Sequence, residues 1–153
     1  MSPTASRYYE DIPEGWEAWS APHTVTGADM LHFARQYDPQ YFHADRDLAK
    51  ESIFGEVIAS GIYTMAIWRR LDHEIAHDIA WICGIAWDDV RFPLALRGGD
   101  TVRAHAVCLS KRVSGSHPER GVVTFLYELF NQRDQLVFTC RSTNLIERRP
   151  PAA

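Results

Sequence analysis

A helix that is apolar on nearly every side leaves a chain few ways to fold, and the stretch opening at Gly61 is of that kind. Gly61-Ile62-Tyr63-Thr64-Met65-Ala66-Ile67-Trp68 carries no charged residue. Such a helix is enclosed on most sides rather than laid on a surface. Beyond it, at about Asp78, the period changes. Ile82 to Phe92, Thr101 to Ser110, Val122 to Asn131 and Leu136 to Ile146 are long runs rich in β-branched and aromatic residues. Arg97-Gly98-Gly99-Asp100, Ser114-Gly115-Ser116-His117-Pro118 and Asn131-Gln132-Arg133-Asp134 punctuate them as turns. In the second run Val102, Ala104, Ala106 and Cys108 alternate with Arg103, His105 and Val107, the pattern of a sheet with two unlike faces. Short connections favour antiparallel pairing. The expectation is an α+β fold in which an antiparallel sheet of about five strands curls around the helix.

The segments ahead of that helix complete the layout. Glu17 to Val25 reads as a first strand. Thr26, with Asp29 three residues on, opens a helix whose apolar positions Met30, Leu31, Phe33, Ala34 and Tyr37 keep helical spacing. Pro39 stops it and leaves Asp38 at its end. A short helix over Asp45 to Glu51 and a loop through Phe54-Gly55 lead to Ser60, which can cap the long helix. Residues 17–147 form the expected single domain, between a flexible segment at 1–16 and a flexible tail at 148–153.

Composition narrows the class of function. A formal charge of −4 offers no general attraction to nucleic acid or anionic membrane. Val57 to Trp68, the longest uncharged stretch, is too short to span a bilayer, and Met1 to Glu10 has no apolar segment of a secretory signal. Cys83, Cys108 and Cys140 are odd in number and each lies in a strand-like run, which points to buried, reduced thiols and a cytoplasmic protein.

The chemistry concentrates at Asp38-Pro39-Gln40-Tyr41-Phe42-His43, where an acid and an imidazole stand five residues apart across a Pro-containing loop. A carboxylate at a helix C-terminus meets the negative end of the dipole, which would make Asp38 a better base than a surface aspartate if it is also desolvated. Imidazole donates or accepts near neutral pH, so His43 is its natural partner. The amide of Gln40 could hold either of them or a substrate carbonyl. Gly61, eighteen residues past His43, offers a helix N-terminus with unpaired N–H groups and no side chain to block an oxyanion.

This set of residues resembles the MaoC-like dehydratases, the family that includes (R)-specific enoyl-CoA hydratases. The resemblance is carried by Asp38, Gln40, His43, Asp45, Phe54 and Gly61 at the family's spacings, and by Arg97-Gly98-Gly99-Asp100 in place of its Pro-Gly-Asp turn. It implies a hot-dog fold, a homodimer or larger homo-oligomer, and a hydro-lyase that adds water reversibly to a trans-2-enoyl thioester of coenzyme A or a related carrier, with no further cofactor. Asp38 and His43 would hold and activate one water, the Gly61 N–H would bind the thioester oxygen, and Gln40 and Ser60 would line the substrate site. Three positions depart from the family: Gln40-Tyr41 replaces its Asn-Pro, Ser60 replaces a common His, and Arg69 replaces a small hydroxyl residue. Tyr41, Phe42, Tyr63 and Trp68 would suit a short or medium acyl group.

Other readings share the fold or the residues. A hot-dog thioesterase would carry its carboxylate on the central helix, and Gly61 to Arg70 contains none. A non-catalytic acyl-CoA-binding member would explain the departures at Ser60 and Arg69. His73-Glu74-Ile75-Ala76-His77 spells a zinc-protease motif, but Ala80 stands where its extended form needs Gly and no Glu follows before Glu119. It reads as the exposed end of the central helix, and no metal site is expected. Lys111, Arg112 and Arg120 flank one hairpin and Arg91, Arg97 and Arg103 another, any of which could meet coenzyme A phosphates.

Overall fold

Local signals set the helices in this computed structural model, which describes residues 5–151. Helix α1 (Gly27–Tyr37) is capped by Thr26, whose hydroxyl oxygen accepts the Asp29 N–H at 3.1 Å. Pro39 ends it, with Asp38 as the C-terminal cap residue. The segment after Pro39, expected to be a loop, contains a helical turn: α2 (Tyr41–Ala44) forms because the Gln40 carbonyl accepts the N–H groups of His43 and Ala44 at 2.8 and 2.9 Å. Asp45 then caps α3 (Arg46–Ala49) through the N–H groups of Asp47 and Leu48. The long helix α4 (Gly61–Ala76) starts at its Ser60 cap.

The strands are β1 (Glu17–Trp19), β2 (His23–Thr24), β3 (Trp81–Arg91), β4 (Thr101–Val113), β5 (Arg120–Phe130) and β6 (Leu136–Glu147). They make one antiparallel sheet of six strands in the order β1-β4-β5-β6-β3, with β2 also paired to β4. The expected first strand is thus two. Pro22 has no N–H to give to a ladder, and ahead of it the Ser20 hydroxyl takes the Ala104 N–H at 2.9 Å in place of a backbone carbonyl. At the turn into β4, Gly99 takes a φ of +93° and Asp100 accepts the Arg97 N–H at 2.9 Å.

The sheet closes around α4, which is the hot-dog arrangement. Tyr63, Ile67, Trp68 and Leu71 of the helix pack against Ala104, Ala106, Phe125, Tyr127, Leu129 and Phe138. Small side chains on β4 let the helix approach, and each large one buried is worth about 1.5–3 kcal/mol. No helix among the described residues is long and apolar enough to cross a membrane.

Residues 5–16, expected to be flexible, carry defined contacts. Ile12 is fully buried. Tyr9 packs so closely on Gly121 that a Cβ there would lie 1.9 Å from its ring. Arg7 pairs with Asp78 and holds that carboxyl down to about 2. Arg148 and Arg149 of the tail bond Glu10 and Asp11. Residues 1–4 and 152–153, the outermost parts of the two segments read as flexible, lie outside the described residues. One cysteine departs from expectation. Cys108 and Cys140 are buried, and burial pushes the Cys140 thiol up to about 12, but Cys83 is exposed because β3 is the last strand of the sheet.

Candidate active site

Three chain segments meet at the start of α4. The end of α1 brings Asp38, the short α2 brings His43, and the cap of α4 brings Ser60 and Gly61. The Ile58 N–H bonds the Phe42 carbonyl at 3.2 Å, and the Ala59 N–H bonds the Leu96 carbonyl at 2.8 Å, which ties the loop ahead of α4 to both neighbours.

His43 is 6% exposed and its Nδ1 lies 2.8 Å from the Ile58 carbonyl oxygen. A carbonyl can only accept, so Nδ1 carries a hydrogen and Nε2 is the working nitrogen. Nε2 stands 3.8 Å from Asp38 Oδ2. That distance exceeds a direct hydrogen bond, and it lets both atoms contact one small oxygen species.

Both Asp38 oxygens have donors: the Ser60 hydroxyl reaches Oδ2 at 2.6 Å and the Gln40 amide reaches Oδ1 at 3.1 Å. The Ser60 hydroxyl, followed by Gln40 and the nearby His43, outweighs burial and holds the carboxyl below its ordinary range. The expected gain in basicity from the helix dipole is therefore overturned. Gln40 and Ser60, read as substrate contacts, are both engaged by Asp38 here.

Gly61, the first residue of α4, has one of the N–H groups that a helix cannot satisfy internally. The Phe92 ring lies where a side chain would be, 3.0 Å from an added Cβ. His43 and Gly61 share a cavity of about 410 Å³ whose walls include Phe42, Phe54, Thr64 and Phe92. Of the four bulky residues expected near an acyl group, Phe42 alone lines it. Tyr63 packs on Phe33, Trp68 joins Tyr127 and Phe138 in the core, and Tyr41 is exposed. Hollows of about 580 Å³ beside β3 and about 740 Å³ beside the tail are larger, but neither is lined by His43 or Gly61.

The far end of α4 holds a buried acid that no sequence motif announces. Asp72 is 2% exposed and pairs with Arg69 at 2.5 Å, with the Tyr127 hydroxyl beside it. Burial pushes its carboxyl up, against the pull of Arg69. Its place four residues after Trp68, on the buried stripe of Thr64 and Trp68, was the available signal. Phe92 had no such signal, since its contact with Gly61 is made across 31 positions of chain. His73, Glu74 and His77 are exposed, and the two imidazole centres lie 6.5 Å apart. Among the described residues no group of three His, Cys, Asp or Glu is placed to hold a metal ion.

Residues 17–125 match one protein family, described as the MaoC like domain. The chain is similar to the uncharacterized protein YdeM of Bacillus subtilis, 32% identical over 127 residues that cover 81% of this chain and 87% of that protein. It is similar to 3-hydroxyacyl-thioester dehydratase Z of Mycobacterium tuberculosis, 32% identical over 84 residues, 53% of this chain and 56% of that protein's length. Among solved structures it is similar to the MaoC-like dehydratase from Rhodospirillum rubrum, with a TM-score of 0.84 and 32% identity over 95% of this chain and 99% of that one.

Proposed function

This chain belongs to the MaoC-like domain family, and on that premise we propose that it is a hydro-lyase adding water reversibly to a trans-2-enoyl thioester of coenzyme A or a related carrier. The observation that carries this reading is the 3.8 Å separation of His43 Nε2 and Asp38 Oδ2 beside the Gly61 cavity. A water between them is held by both. As its oxygen bonds to C3, Asp38 Oδ2 takes one of its protons and the electrons of the double bond move toward the thioester oxygen. The Gly61 N–H stabilises the charge that builds there, a contribution of a few kcal/mol. With a hydrogen on Nε2 as well as on Nδ1, His43 gives the Nε2 proton to C2, and the proton taken by Asp38 then returns to Nε2 through a second water bridging the 3.8 Å gap. Donors on both Asp38 oxygens keep the carboxylate ionised and available to accept.

The similarity to a 3-hydroxyacyl-thioester dehydratase supports a thioester substrate. The thioesterase alternative gains no support from Asp72, whose carboxylate is enclosed and paired with Arg69. No cofactor is required beyond the thioester itself. The same reading places the protein in the cytoplasm, where its three free thiols stay reduced. It also includes a homodimer: β3 ends the sheet and exposes Ile82, Ile85 and Trp87, a long apolar edge of the kind that pairs with a second copy. Light scattering on the purified chain should give twice the monomer mass, and Trp87→Asp should return it toward one.

The deciding experiment is hydration of crotonyl-CoA and longer enoyl-CoA esters, followed by loss of the conjugated thioester absorbance, for the wild type and Asp38→Asn together. Activity that vanishes in the variant supports the reading. A folded wild type inactive across the series favours a binding protein, which equilibrium binding of saturated acyl-CoA would then reveal.

A further inference from the structure

Ser60 touches both halves of the site. Its hydroxyl donates to Asp38 Oδ2 at 2.6 Å, and the same oxygen accepts the Ile62 N–H at 3.2 Å, which is the cap of α4. The residue is 1% exposed. Its carbonyl receives the Thr64 N–H and hydroxyl at 3.0 and 3.2 Å, so its backbone cannot shift without loosening the first turn. A serine hydroxyl has one proton to give. Here that proton goes to the carboxylate that the hydratase reading makes the base.

We propose that Ser60 is a positioning residue that joins Asp38 to the first turn of α4, so that the base and the Gly61 N–H are held as one rigid unit. This role rests on the hydratase reading and concerns how that site is held rather than which substrate it takes. A residue acting as a cap alone would need only to accept the Ile62 N–H. Ser60 also donates, over 22 positions of sequence, to the atom that faces His43. The groups facing Asp38 are few: Gln40 ahead of α2, His43 on α2 and Ser60 ahead of α4. Among them the Ser60 hydroxyl has the largest effect in keeping the carboxyl low. Its removal leaves Gln40 and His43 to oppose burial by themselves, and Asp38 must titrate at higher pH.

Three variants separate this role from capping. Ser60→Ala loses the cap and the donor, Ser60→Gly loses the donor while costing the helix start only about a few tenths of a kcal/mol, and Ser60→Thr keeps both. The expected result is an acid limb of kcat/KM moved to higher pH in Ser60→Ala and Ser60→Gly, with kcat lowered more than KM is changed, and a return toward wild type in Ser60→Thr. A carbon-detected NMR titration of the Asp38 carboxyl in the free protein should move the same way. An unmoved limb and an unmoved carboxyl titration in the Gly variant, with activity lost evenly at all pH values, would overturn the proposal and leave Ser60 a cap. Should the wild type hydrate no enoyl thioester, the hydratase reading fails by itself. The carboxyl titration then decides the coupling alone: raised in the Gly variant it stands, unchanged it falls.

Discussion

The two ends of α4 each hold an aspartate, and the two have opposite characters. At the N-terminal end Asp38 receives a hydrogen bond on each oxygen, and its carboxyl is held low. Toward the other end Asp72 has one strong partner, Arg69, and its carboxyl is pushed up because burial outweighs that partner. Asp72 Oδ1 and the neighbouring Trp68 Nε1 have no hydrogen-bond partner among the described residues. The difference is one of donor count against enclosure. A carboxylate supplied with a donor on each oxygen stays charged and can take a proton, whereas one enclosed with a single cation is a packing element that resists ionisation.

Substitutions can break this contrast. The largest effect belongs to Asp38→Asn, which keeps the shape and removes the acceptor: kcat/KM should fall by about 10²–10⁴ with the thermal midpoint little changed. His43→Gln should fall in the same range. A loss of fold in either would move these residues to the structural side of the comparison. Next in size is Arg69→Ala, which leaves Asp72 enclosed without its cation. A fully buried broken pair costs about 3–5 kcal/mol. Because Arg69 is half exposed and Asp72 can take up a proton, about 1–3 kcal/mol is expected here, read from urea unfolding.

The smallest effect sharpens the contrast through pH. Asp72, raised in the folded state, contributes stability that is full below its unfolded value near 3.8 and is lost as pH rises through its folded value. Asp38, lowered in the folded state, contributes stability above that unfolded value and loses it as pH falls through its folded value. Urea unfolding across this range should therefore show Asp72→Asn flattening the decline toward neutral pH and Asp38→Asn flattening the decline toward acid. Matching slopes in the two variants would remove the distinction.

Features written locally were legible in the sequence. Thr26 and Ser60 cap helices through neighbours two or three residues away, and the alternation of Val102, Ala104, Ala106 and Cys108 is the burial pattern of β4. What could not be read depends on distant partners. The break between β1 and β2 is marked locally by Pro22 but rests also on Ser20 meeting Ala104, 84 positions away. The exposure of Cys83 follows from the place of β3 in the sheet rather than from its own residues. That Asp38, Gln40, His43 and Ser60 come together was legible from their spacing, but the state of Asp38 was not, because its main donor is Ser60 rather than the helix that ends beside it.

The strand order has a consequence in time. β4, β5 and β6 are joined by short turns and can assemble as successive hairpins, while β1 pairs with β4 and β3 with β6 only across long stretches of chain. Loop closure of that length is slow to be repaid. The half that carries Asp38, His43 and Gly61 is also the half made first. At synthesis rates of about 5–20 residues per second, α4 waits roughly 4–14 s for the strands that will enclose it. During that interval the apolar surface of Ile67, Trp68 and Leu71 has no sheet to cover it, and the nascent chain is at its most vulnerable to aggregation after Asp38, His43 and Gly61 have already been made.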